Sequence, residues 1–165
     1  MNTGQMLLIL GAMALLSVTM LSVNRVLVEH GEASVEGVSR LGATSLAQGL
    51  IEEAIGKGFD EVVLSDPPTP LPASFTPAGS LGPETGESYP NYDDIDDFNG
   101  ITRTDTTEAG VVYTLQAEVE YVDASNPDGP AEASPTFFKR LKVTVSSPYL
   151  SNDTALYYLA GYWGN

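Results

Sequence analysis

The first feature of the chain is an uninterrupted apolar stretch near its N-terminus, from Met6 to Val23. It reads MLLILGAMALLSVTMLSV and contains no charged residue and no proline. A helix of this length spans roughly 27 Å, which is close to the hydrocarbon thickness of a bilayer. In lipid, such a segment satisfies its backbone hydrogen bonds only as a helix. The stretch is therefore predicted to be a helix that is surrounded by lipid or by other helices.

The helical pattern continues beyond Arg25, where it becomes amphipathic. No proline occurs before Pro67, and one continuous helix over residues 5–57 would be about 80 Å long. A secretory signal peptide has a shorter apolar core followed by a cleavage site with small residues, which this pattern does not resemble. The apolar positions beyond Arg25 recur at helical spacing: Val35, Val38, Leu41, Leu46, Leu50 and Ile55.

Three glycines, Gly42, Gly49 and Gly56, lie in the second half of this helix at intervals of seven residues. Each interior glycine costs about 1 kcal/mol relative to alanine. The spacing therefore indicates a seam at which another backbone approaches closely. Chance in a glycine-rich chain is the alternative interpretation.

The rest of the chain predicts an antiparallel sheet that follows a proline-rich connection. Residues 65–91 hold seven of the eleven prolines, which exclude a helix and allow only edge pairing. Alternation predicts strands over residues 113–121 and 140–145, and residues 101–106 add another. The last strand, residues 154–163, is apolar on both faces, as expected for a central strand or for an edge covered by a neighbour.

These elements predict an α+β fold, in which a long N-terminal helix packs on a C-terminal antiparallel sheet and its apolar half protrudes. We divide the chain into an apolar half-helix over residues 1–28 and a soluble domain over residues 29–165. The soluble domain contains an amphipathic half-helix (29–58), a proline-rich wrap over the surface (65–91) and the sheet (101–163).

Charge and cysteine content limit the function. The chain has 22 acidic and 7 basic residues, a net charge of -15, and Arg25 is the only charged side chain before Glu29. Such a surface repels nucleic acid and anionic lipid headgroups, so we expect no nucleic-acid partner. The absence of cysteine excludes disulfides and thiolate metal sites.

One acidic run is the main candidate for ligand chemistry. Asp93, Asp94, Asp96, Asp97 and Asn99 place five oxygen-bearing side chains within seven residues. Ca²⁺ takes six to eight oxygen ligands from a flexible loop, so this run is a candidate Ca²⁺ site. Its spacing is not that of an EF-hand, and a solvated turn or helix cap is the alternative. No other cofactor is indicated.

Other residues offer less chemistry. Asn152 begins an N-glycosylation sequon, Asn-Asp-Thr. His30 is the only histidine, so neither a catalytic triad nor a zinc site can be built, and we expect no enzymatic activity. The C-terminal aromatics are either sheet core or a contact surface for a neighbour: Tyr157, Tyr158, Tyr162 and Trp163.

The sequence resembles the type IV pilin and pseudopilin superfamily. The architecture matches along the whole chain: a short polar leader, an apolar half-helix, an amphipathic half-helix and a C-terminal sheet. Residues 45–53 (SLAQGLIEE), followed by Phe59-Asp60, are similar to the helix end of minor pilins and secretion pseudopilins. Residues 93–100 (DDIDDFNG) are similar to an acidic stretch of minor-pilin-like proteins.

The N-terminus departs from the pattern of this family. Gly4-Gln5 is similar to a prepilin processing site, but its leader would contain only MNTG. We expect an unprocessed N-terminus, or Met1 as the first mature residue. Pilins usually carry a glutamate at the fifth mature position, where Gln5 stands if Met1 is first and Ile9 stands if cleavage follows Gly4. Neither residue neutralises a neighbour's terminal amine.

The resemblance implies a structural subunit of a type IV pilus-like extracellular filament, inserted in the inner membrane before assembly. Its partners would be copies of itself and a pilus or secretion machinery. The alternative is a membrane-anchored minor pilin or pseudopilin of a type II secretion or pilus machine. A membrane-tethered binding module is the third possible function. The predicted assembly core comprises Met6, Leu7, Leu8, Ile9, Leu10, Met13, Leu15, Leu16, Val18, Met20, Leu21 and Val23.

Overall fold

The structure, a computed structural model, describes residues 2–65, 71–107 and 110–163. It confirms the α+β class, because one long N-terminal helix precedes a four-stranded antiparallel sheet. Helix α1 spans Thr3–Ile55, so it ends slightly before the predicted end of the helix. A short helix that the sequence did not predict, α2, follows at Glu61–Ser65.

The chain divides into two compact units, residues 1–38 and 39–165. None of residues 2–38 is buried. This is expected for residues 6–23, whose apolar side chains point in all directions, but the predicted amphipathic half-helix (29–58) is also unburied as far as residue 38. The predicted boundary, after residue 28, follows the change in composition. The structural boundary follows burial, which begins at Ser39.

The four strands form a meander in the order β1-β2-β3-β4, with every neighbouring pair antiparallel. Strand β1 is Thr102–Thr106, β2 is Val112–Tyr121, β3 is Phe138–Ser146 and β4 is Thr154–Gly161. Alternate residues of β2 and β3 are buried, so one face of the sheet forms the core and the other meets solvent.

Strand β4 lies at the edge of the sheet, beside β3. Of the two alternatives for this segment, the central strand is therefore wrong. Tyr157 on the outward face is 61% exposed, and Trp163 just beyond the strand is 79% exposed. Tyr158 and Tyr162 pack, partly buried, against the core. The C-terminal aromatics thus divide between the core and an exposed apolar edge.

The last part of α1 packs on the sheet through small side chains. Ala43, Ala47 and Ala54 are fully buried on one face of the helix, together with Leu50. Alanine side chains let the helix backbone come close to the sheet, and large side chains from β2 and β3 fill the core between them.

Gly42 permits a close contact between the helix and the sheet. Tyr113 of β2 donates its hydroxyl to the Ser39 carbonyl over 3.1 Å. A Cβ atom at position 42 would lie only 2.7 Å from that hydroxyl oxygen. Gly49 faces open space, and Gly56 follows the end of α1. Of the three spaced glycines, only Gly42 is required by the packing of the described residues.

The described part of the proline-rich connection lies against the core. From residue 71 onward it contains two 3₁₀ helices, Pro72–Ser74 and Ala78–Ser80. Phe75 between them is buried, and its ring centroid lies 5.2 Å from that of Phe59 and 5.6 Å from that of Tyr162. This aromatic contact anchors the connection. The rest of the predicted wrap, residues 66–70, lies outside the described residues.

We expect Gly42→Ala to lower stability, although alanine is the better helix former. The added methyl group would displace the Tyr113 hydroxyl from Ser39, and leaving such buried groups unpaired costs about 1–3 kcal/mol. Gly49→Ala adds the same methyl group to open space and should stabilise by about 1 kcal/mol. Thermal unfolding of the detergent-solubilised chain, followed by near-UV circular dichroism, measures both effects. Equal shifts in the two variants would contradict the packing role of Gly42.

Candidate functional site

The predicted assembly core forms a continuous apolar surface on α1. All of its side chains are between 49% and 75% exposed. They occupy every side of the helix, because the apolar stretch has no polar face. The helix is long and apolar enough to cross a membrane, a test that a signal sequence near an N-terminus also passes.

Two hydroxyl side chains within this stretch, Ser17 and Thr19, are already hydrogen-bonded. The Ser17 hydroxyl donates to the Met13 carbonyl over 2.9 Å, and the Thr19 hydroxyl donates to the Leu16 carbonyl over 2.9 Å. A hydroxyl that is bonded back to the preceding turn enters an apolar environment at little cost. An ion pair between Arg25 and Glu29, 2.7 Å long, follows the end of the stretch.

The unit formed by residues 39–165 contains a buried lysine surrounded by carboxylates. Lys139 lies on the core face of β3 and is fully buried. Its ammonium group donates to the Phe59 carbonyl over 2.6 Å, to the Asp60 carboxylate over 2.9 Å and also to Asp96. Sequence analysis missed this residue, although Lys139 has the same strand parity as the buried Leu141.

Asp60 connects four parts of the chain at this lysine. Its carboxylate also accepts the Tyr121 hydroxyl over 3.2 Å and the Thr76 N–H over 3.0 Å. The segment after α1, the proline-rich connection, β2 and β3 therefore meet at one side chain. Burial, followed by the charge of Asp60, raises the pKa of Tyr121, so its hydroxyl keeps the proton that it donates.

The acidic run that we predicted as a Ca²⁺ site forms a loop containing the 3₁₀ helix Asp96–Phe98. Asp93 is exposed, whereas Asp94 and Asp96 are fully buried. Burial, followed by a hydrogen bond to Asp96 and the charge of that group, raises the pKa of Asp94 to about 9. Asp94 therefore holds a proton at neutral pH beside Asp96, which in turn accepts from Lys139.

Asn99, at the end of the run, connects two other segments. Its Nδ2 donates to the Leu81 carbonyl over 2.9 Å, and its Oδ1 accepts from the Val119 N–H over 2.9 Å. The amide therefore holds the proline-rich connection against β2. The five side chains of the run have different surroundings, so the structure does not bring them to one point.

Asp97 lies beside two glutamates that the sequence analysis did not single out. Glu84 and Glu87 bracket a turn that is closed by a 3.0 Å hydrogen bond from the Glu87 N–H to the Glu84 carbonyl. Gly86 in this turn has a φ of 105°, which favours glycine. One carboxylate oxygen from each of the three residues lies within 4.8 Å of the other two. The Glu-Thr-Gly-Glu turn was visible in the sequence, but its carboxylate neighbour was not.

Each of these three carboxylates has one oxygen without a hydrogen-bond partner among the described residues, as have Asp94 and Asp96. Asp97 Oδ2 accepts the N–H groups of Asp93 and Asp94 over 2.9 and 3.2 Å. Asp97 Oδ1 has no hydrogen-bond partner among the described residues, and neither have Oε2 of Glu84 and Oε2 of Glu87. Burial, followed by contact with the Glu87 side chain, raises the pKa of Glu84 to about 7.

The remaining predicted residues lie apart from these clusters. Asn152 is exposed just before β4, so the sequon is accessible and glycosylation stays a prediction. His30 belongs to the unit formed by residues 1–38, where it is exposed. The second unit therefore contains neither histidine nor cysteine.

No protein-family model, curated protein or solved structure matches this chain. The features of the described residues that bear on function are the apolar surface of α1, the exposed edge at β4 and the acidic clusters.

We expect Lys139→Met to destabilise the protein strongly, because it leaves Asp60 and Asp96 buried without their cation. Removing one partner of a buried ion pair costs about 3–5 kcal/mol. Lys142→Met in the same strand removes only the 3.3 Å pair with Glu118 on the solvent face. That change should cost about 1 kcal/mol or less. Urea unfolding in one detergent compares the variants, and similar midpoints for the two would refute the role assigned to Lys139.

Proposed function

We propose that this chain is a structural, non-catalytic subunit of a type IV pilus-like extracellular filament, assembled by bundling of the apolar stretches of α1 from many copies. The observation that carries the proposal is the exposure of that stretch on every side of the helix. One partner can cover a helix that is apolar on one face, but a helix that is apolar all round must be surrounded. In this proposal, lipid surrounds it before assembly and other copies surround it afterwards.

The apolar surface is large enough to keep such a helix out of water. Burial of each large aliphatic side chain contributes about 1.5–3 kcal/mol relative to water. The opposing term is repulsion between chains that each carry a net charge of -15. Repulsion between exposed charges is largely screened beyond about 10 Å at 0.1 M salt. The apolar contact should therefore prevail at moderate ionic strength.

The edge of the sheet favours self-assembly over a solitary membrane tether. Among the described residues no strand pairs with the outer side of β4, and Tyr157, Leu159 and, just beyond the strand, Trp163 are exposed. Aromatic side chains are enriched in protein interfaces, and an unpaired edge strand offers its backbone groups to a neighbour. A contact of this edge with a different surface of the next copy would propagate as a filament rather than close as a dimer.

The alternative is a membrane-anchored minor pilin or pseudopilin of a type II secretion or pilus machine. The same apolar helix would serve it, with few copies present and the machinery as its main partner. A membrane-tethered binding module without a role in assembly is the third candidate. In none of these roles does the acidic surface favour nucleic acid.

Mechanical shearing of cells that express the chain separates these candidates. A filament subunit should dominate a gel of the sheared fraction, and negative-stain images of that fraction should show fibres. A minor component should be nearly absent from the gel. A tethered module should remain with the membranes. Either of these two results would overturn the proposed major role.

We expect Leu15→Lys to abolish the fibres, because the charge would lie in the middle of the apolar stretch. A lysine at the centre of an apolar helix costs about 3 kcal/mol in each copy. Gln116→Lys adds the same charge on the exposed face of β2 and should leave fibre yield unchanged. Fibre counts in sheared fractions, at matched protein levels by immunoblot, compare the two. Normal fibres from Leu15→Lys would contradict burial of the helix.

A further inference from the structure

We propose that Glu84, Glu87 and Asp97 bind one Ca²⁺ ion, which fastens the proline-rich connection to the acidic loop. This site shares only Asp97 with the five-residue site that the acidic run predicted. The proposal is independent of the filament role, because it concerns the unit formed by residues 39–165 alone.

Asp97 provides the first step of the argument. Its side chain is 0% exposed. Two backbone N–H groups bind its Oδ2 atom, which orients the carboxylate, whereas its Oδ1 atom has no donor among the described residues. Buried carboxylate oxygens are normally hydrogen-bonded or bound to a metal. The free oxygen therefore indicates a ligand that supplies positive charge.

The glutamates supply the second step. Glu84 and Glu87 each have a buried oxygen without a partner, as Asp97 does. The turn that Gly86 permits holds the two glutamates together, and Asn99 holds the neighbouring Leu81 in place. The turn and the Asn99 hydrogen bond thus keep the three carboxylates close together. Without them, repulsion between the negative charges would separate the three groups.

The all-oxygen ligand set and its spacing are compatible with Ca²⁺. Ca²⁺ binds oxygens at 2.3–2.6 Å, so two of its ligands are at most about 5.2 Å apart. The three oxygens lie within 4.8 Å of one another, so each pair is within this limit. Mg²⁺ at 2.0–2.1 Å would limit the separation to about 4.2 Å and requires a near-ideal octahedron. Three carboxylates, with Glu84 or Glu87 bidentate and water completing the shell, meet the demands of Ca²⁺.

The charge of the surroundings supplies the third step. The neighbouring Asp96 is already neutralised, because it faces Lys139. Five basic side chains contact other groups of the protein. The counter-ion of the three carboxylates is therefore a cation from solution. The partners of the five basic side chains are the Tyr92 carbonyl for Lys57, Tyr89 and Asp105 for Arg103, Asp60 and Asp96 for Lys139, Glu120 for Arg140 and Glu118 for Lys142.

The test is a titration of CaCl₂ into the detergent-solubilised full chain after removal of metal with EDTA. Isothermal calorimetry should show one ion per chain with a Kd on the order of 10⁻⁴–10⁻³ M, as in extracellular Ca²⁺ modules. MgCl₂ should bind at least about tenfold more weakly. Thermal unfolding in millimolar CaCl₂ should occur at a higher temperature than in EDTA, because the ion binds only the folded chain.

Matched variants decide whether the ion occupies this site. Glu84→Gln and Glu87→Gln keep the shape of half-exposed turn residues and should each weaken Ca²⁺ binding by about tenfold or more. Asp93→Asn removes the same charge from an exposed position in the adjacent loop and should change the Kd less than about twofold. The absence of saturable Ca²⁺ binding in the wild type would overturn the proposal. Equal weakening by all three substitutions would also overturn it, because it would indicate general attraction to an acidic surface.

Discussion

The contacts of Lys139 fix the arrangement of the unit formed by residues 39–165. A buried ammonium group is tolerated only when oxygens replace all the water that it loses. Here those oxygens come from the segment after α1 and from the acidic loop, while the lysine itself belongs to β3. Neither segment is part of the sheet, so the ammonium group holds both against it.

Acidic groups in this region are stabilised in three different ways within a short distance along the chain. Asp96 faces a lysine, Asp94 retains a proton, and Asp97 relies on backbone N–H groups for one oxygen and, in our proposal, on Ca²⁺ for the other. The pattern follows from the neighbours of each carboxylate, because all three are fully buried aspartates. Aspartates that are adjacent in sequence therefore have unlike chemistry, which explains why the run does not act as a single ligand set.

Periodicity predicted the elements of this fold well. The apolar stretch and the alternation in β2 and β3 are local signals, and these elements formed where the signals lay. The short helix α2 and the 3₁₀ helices in the proline-rich connection were not predicted. The alternation along β3 also places Lys139 on the buried face of the strand. What it lacked was contact between distant segments: nothing local indicates that Glu84 and Glu87 meet Asp97, or that β4 has no neighbour on its outer side. Pairings of that kind depend on how the connection folds over the core.

The positions of the basic residues leave the surface of the protein strongly acidic. Three of the seven, Lys139, Arg140 and Lys142, lie within four positions of β3, where one is buried and the others pair with Glu120 and Glu118 of β2. Little positive charge is left to offset the acids elsewhere. The exterior therefore behaves as a polyanion, and particles coated with it stay dispersed as a charged colloid does, until multivalent counter-ions bridge them.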